Sequence, residues 1–91
     1  MAEISIRFQD SEGNTLSNKS VYVNGEHFVT DHNGNVHYEA ELGKKARFNA
    51  NGSINGNRYQ VKQINNMTDD TVVNDNSIQV EKDLDLVVIV G

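Results

Sequence analysis

The sequence predicts an all-β fold, an antiparallel β-sandwich of about seven strands occupying residues 1–91 as one domain. Three observations carry that expectation. Apolar residues recur with period two in stretch after stretch, and no window sustains the i, i+3, i+4, i+7 spacing of a helix. Thirteen asparagines and seven glycines punctuate those stretches, and four of the glycines directly follow an asparagine. Turn signals return about every ten residues, the spacing of a sandwich or small barrel.

Each strand is legible in order. Ile4, Ile6 and Phe8 alternate with Ser5, Arg7 and Gln9, which puts three apolar groups on one face. Val21 and Val23 flank Tyr22 in the same way. Val36, Tyr38, Ala40 and Leu42 alternate with His37, Glu39 and Glu41, and Ala46, Phe48 and Ala50 alternate with Arg47 and Asn49. Tyr59 with Val61 and Ile78 with Val80 mark two further short elements. The last strand carries Leu84, Leu86, Val88 and Val90 on one face and Asp85, Val87 and Ile89 on the other, so it is expected to be central or covered. Between these elements, Asn24-Gly25, Asn33-Gly34, Asn51-Gly52 and Asn55-Gly56 supply the positive φ values of tight turns. Residues 65–76 form a polar stretch around Val72 and Val73, long for a loop in a compact domain.

Register decides which groups face inward. In Asp31-His32-Asn33-Gly34, Asp stands where a type I turn prefers it and Gly at the left-handed position that follows. A three-residue hairpin loop there is expected to pair Thr30 with Val36 and Phe28 with Tyr38. It buries Phe28, Val36, Tyr38 and Ala40 and turns Val29 outward.

A first strand at Ile4 to Phe8, the turn Asp10-Ser11-Glu12-Gly13, a second strand at Ser20 to Val23 and then Thr30-Asp31-His32-Asn33-Gly34-Asn35 before Val36-His37-Tyr38 make a recognisable series. With Leu42-Gly43 and the strand ending near Ala50-Asn51-Gly52, it resembles the small Ig-like and prealbumin-like β-sandwiches of bacterial and phage surfaces. These include carboxypeptidase-regulatory-like, Cna-B-like and invasin-type Ig-like repeats. The resemblance spans about residues 3–64. It departs at Leu16-Ser17-Asn18-Lys19, where such domains carry a proline, and at Lys45, where they carry an aromatic residue. It implies an Ig-like sandwich and non-catalytic roles: stalk repeats, adhesin spacers, carbohydrate- or protein-binding modules, and decoration or tail proteins of phage particles.

Composition excludes several classes. Thirteen acidic and eight basic side chains give a net charge of -5, and the sequence pI is near 4.9. That balance argues against nucleic acid, whose phosphates are met by clustered Lys and Arg. The basic cluster Lys44, Lys45 and Arg47 reads as an edge strand kept from pairing by charge. Without cysteine there is neither a disulfide framework nor a thiolate nucleophile. No Gly-x-Ser-x-Gly elbow or phosphate-binding glycine loop occurs, so no enzyme activity and no cofactor are expected. Leu84 to Val90 is too short to span a bilayer, and Met1-Ala2-Glu3-Ile4 lacks the basic and apolar regions of a signal peptide. Membrane insertion is therefore not expected. A place on a virion or cell surface requires assembly into a particle, a signal-less route or a longer parent chain.

Three sets of metal candidates have simpler readings, and the first, the oxygen cluster of Asp69, Asp70 and Asp75, reads as a solvated acidic loop. His27, His32 and His37 are five residues apart, but in the expected hairpin His32 stands at the tip, away from the other two rings. Asp31, Asn33 and Asn35 place oxygen ligands at alternate positions, as a calcium loop begins. Glycine falls at the fourth position rather than the sixth, however, and Leu42 stands where the closing carboxylate belongs. A turn accounts for all of these residues. The expectation for metal is none.

What remains is surface recognition. Tyr22, Val29, Val87 and Ile89 are apolar residues on the minority faces of their strands, and together they are the expected partner surface. For Val87 and Ile89, cover by the 65–76 loop is the competing account. The expected function is a non-catalytic structural or binding module of an extracellular assembly, a phage virion or bacterial surface accessory protein of decoration, tail or adhesin type. Its partner is a protein or a second copy; carbohydrate, held on Tyr22 or Tyr59, is a further option. The alternative is an acidic intracellular inhibitor that presents Asp69, Asp70 and Asp75 to a basic target.

Overall fold

The computed structural model describes residues 1–54, 56–64 and 77–91. Strand β1 covers Ala2–Asp10, β2 Ser20–Val23, β3 Glu26–Val29, β4 Asn35–Ala40 and β5 Lys45–Ala50. After them come β6 at Ser53–Ile54, β7 at Asn57–Arg58, β8 at Val61–Ile64, β9 at Ser77–Gln79 and β10 at Leu84–Val90. Among the described residues there is no helix. Two four-stranded sheets, ordered β4-β1-β10-β8 and β3-β2-β5-β9, pack together, and β6 pairs with β7 in a separate ribbon.

Period two builds the core as expected. Ile4, Ile6 and Phe8 of β1 and Leu86, Val88 and Val90 of β10 face inward from the first sheet. Val21, Val23, Ala46 and Phe48 meet them from the second. Phe8 and Phe48 touch edge to face across the layers, with centroids 6.5 Å apart. β10 is central, as its two apolar faces predict.

Four expectations are corrected. The sandwich is not wholly antiparallel: β1 and β10 run parallel, with Ile4 opposite Leu84 and Phe8 opposite Val88. Consecutive strands joined by a tight turn must be antiparallel, but a first and a last strand are linked through the whole chain and carry no such constraint. Among the described residues the two sheets hold eight strands rather than about seven. The turn at Asp31 does not close a hairpin within one sheet. β3 pairs with β2 and β4 with β1, so the chain crosses there from the second sheet to the first. The Thr30 amide donates to the Lys19 carbonyl at 2.9 Å and is not available to Val36. Phe28, Val36, Tyr38 and Ala40 still face inward, yet Phe28 meets Tyr38 across the layers, edge to face at 5.9 Å. Finally, β5 is no edge strand, since β2 and β9 flank it on both sides.

Leu42 also differs from its expected place. β4 ends at Ala40, and Leu42 is 56% exposed in the following turn, where the Lys44 amide donates to the Glu41 carbonyl. The residues leading into β2 are stitched by Thr30, 1% exposed, whose hydroxyl accepts from the Lys19 amide at 2.9 Å and donates to the Leu16 carbonyl.

Candidate functional site

Since the inward groups are committed to the core, chemistry is left to the two outer faces. On the second sheet, Tyr22 stands opposite His27 in β3 and opposite Asn49 in β5. The Tyr22 and His27 rings lie 5.4 Å apart and tilted by 48°. Val29, 58% exposed, shares this face opposite Ser20. Lys45 and Arg47 project from β5 on the same side, because Ala46 and Phe48 take the inward positions. The face is aromatic and basic in a chain of net charge -5.

The outer face of the first sheet has the opposite character. Glu3 stands directly opposite Glu39, and Ser5 lies between His37 and Asp85. The Glu3 amide donates to Asp83 Oδ1 at 2.8 Å, which brings a further carboxylate to the same end. Like charges directly opposite in a sheet are unfavourable, so stability does not explain this grouping. Farther along, half-buried Val87 stands beside Arg7, and half-buried Ile89 lies between Gln9 and Gln63.

The four residues of the expected partner surface therefore do not form one patch. Tyr22 and Val29 occupy one outer face, and Val87 and Ile89 the opposite one. The covering role considered for residues 65–76, and Asp69, Asp70 and Asp75 themselves, lie outside the described residues. Of the two tyrosines considered for sugar, Tyr22 is on the outer face. Tyr59 packs against the core and along Gly52, where an added Cβ would come within 3.1 Å of its Cε2.

The histidines separate further than a hairpin would require. His27 is on the outer face of the second sheet and His37 on that of the first, where its Nδ1 and Ser5 Oγ share a hydrogen bond of 3.1 Å. His32 stays in the turn between the sheets. Asp31, Asn33 and Asn35 do remain together, but Asp31 Oδ1 accepts the amide hydrogens of Asn33 at 2.8 Å and Asn35 at 2.9 Å. Asp10 Oδ1 does the same for Glu12 and Asn14, each at 2.9 Å. The Asn35 amide, followed by that of Asn33 and the charge of His32, holds the Asp31 carboxyl below its ordinary value. Asp10 is lowered chiefly by the Asn14 amide. These carboxylates cap turns. Among the described residues no three His, Cys, Asp or Glu side chains gather as a metal site.

The concavities described are open surface grooves. One lies between Met1 and the Asn24 turn, lined by Tyr38, Glu41 and Lys44. A second runs beside it along Gly25, Lys45, Arg47 and Asn49. A third is bounded by Glu3, Ser5 and Asp83. Sequence reasoning missed the basic-aromatic face because it placed β5 at an edge. It missed the carboxylate end because Glu3, Glu39 and Asp83 come together only through the pairing of β1 with β4 on one side and β10 on the other. Comparison with protein-family models, with curated proteins and with solved structures found no match.

Proposed function

We propose that the chain is a non-catalytic structural or binding module of an extracellular assembly, a phage virion or bacterial surface accessory protein on an Ig-like or prealbumin-like sandwich. The observation that carries this reading is the division of the minority-face apolar residues. Tyr22 and Val29 lie on one broad face, and Val87 and Ile89 on the opposite one. Val29 is exposed and Tyr22, Val87 and Ile89 are half-buried; apolar area left on both outer faces suits a module that joins two neighbours. Either neighbour is a second copy or another protein of the assembly. Light scattering tests this on the wild type, on Tyr22→Lys/Val29→Lys and on Val87→Lys/Ile89→Lys, with circular dichroism as the folding control. The expected result is a wild-type mass above the 10.1 kDa of one chain, lowered by each double substitution. A wild-type mass of one chain excludes a second copy as neighbour, and a larger mass that neither double substitution lowers contradicts the reading.

A second reading, an acidic inhibitor of a basic target, draws on the grouping of Glu3, Glu39, Asp83 and Asp85. It calls for a monomer in the same experiment and for binding to a basic protein that weakens steeply with salt.

A further inference from the structure

The geometry points to Asn51 as a site of spontaneous chemical modification, with Asn24 and Asn33 protected by the fold although each also precedes a glycine. In an Asn-Gly pair the glycine nitrogen can attack the asparagine Cγ. A C–N bond forms, ammonia leaves with the proton from that nitrogen, and a cyclic imide results. Water then adds across one of the two imide C–N bonds, giving aspartate or isoaspartate. The step requires a free carboxamide and a glycine amide that is not held by an acceptor.

Asn24 lacks the first. Its Nδ2 donates to the Tyr38 hydroxyl at 3.2 Å, its Oδ1 accepts the Arg47 amide at 2.8 Å, and its own amide donates to the Arg47 carbonyl at 2.8 Å. Asn33 lacks the second, because the Gly34 amide donates to the Asp31 carbonyl at 3.0 Å and Gly34 is buried against the Phe8 carbonyl. Asn51 satisfies both. It is exposed, its side chain takes part in no hydrogen bond among the described residues, and neither does the Gly52 amide. Its backbone is anchored on either side, by its own amide to the Ser20 carbonyl at 2.9 Å and by the Gly52 carbonyl to the Tyr59 amide at 3.2 Å. Asn55 lies outside the described residues, so the ranking concerns the other three.

The test is incubation of the folded protein in mildly alkaline buffer, with tandem mass spectrometry of tryptic peptides 20–44 and 48–58. Conversion at Asn51 is expected to run roughly tenfold or more ahead of Asn24 and Asn33. In urea the three rates converge. Asn51→Gln removes the acidic species whose 48–58 peptide is converted at residue 51 and leaves the fold intact. Conversion at Asn24 or Asn33 in the folded protein as fast as at Asn51, or none at Asn51, overturns the assignment.

Discussion

Asn24-Gly25 and Asn33-Gly34 are the same dipeptide put to different uses. The first closes a two-residue hairpin between β2 and β3, with φ of 52° and 80° at the two residues, as a type I′ turn requires. The second carries the chain from one sheet to the other. Gly34, also at φ 80°, is buried where the turn meets β1, and its carbonyl accepts the Phe8 amide at 2.8 Å. An added Cβ at Gly25 meets nothing within 4 Å, whereas at Gly34 it would stand 2.7 Å from the Phe8 carbonyl oxygen. The dipeptide thus dictates a local reversal, and the surroundings decide which strands it joins.

Substitution at these glycines breaks the comparison most strongly. Gly34→Ala adds a backbone collision to the left-handed penalty and is expected to cost about 2–4 kcal/mol of unfolding free energy. Gly25→Ala suffers the penalty alone, about 1–2 kcal/mol. Denaturant titration of both variants checks the order, and equal losses would mean that Gly34 is not packed against β1.

A smaller effect sharpens the same contrast through the carboxylates. Both Asp10 and Asp31 lie below the ordinary value of 3.8 because turn amides donate to them. A group lowered on folding stabilises the folded state above its unfolded value, and the contribution disappears as pH falls through the folded value. Asp31→Asn and Asp10→Asn should therefore melt below the wild type at neutral pH and converge with it in strong acid. A gap in melting temperature that persists there would remove the carboxylate from the account.

How much of this was legible in the sequence follows from what each signal depends on. Inward and outward positions in β1, β2, β4, β5 and β10 depend on alternation alone, and the structure places them as read, apart from Leu42. The Asn24-Gly25 hairpin was equally plain. Pairing between distant strands was not. Nothing in Ile4 to Phe8 or Leu84 to Val90 states that the two run side by side and parallel, because neither contains the other's register. From that gap came the misplacement of β4 against β3, of β5 at an edge, and of the partner residues on a single patch. The candidate site was legible residue by residue and illegible as a surface.

The central claim is that the two pairs of minority-face residues lie on opposite sides of the sandwich. Because the chain has no cysteine, Val29→Cys/Ile89→Cys offers two unique positions for spin labels. Pulsed electron resonance on the folded double variant should give a separation well beyond the ~10 Å between packed sheets, since both labels point away from the core. A distance at or below that spacing would place Val29 and Ile89 on one face and contradict the account.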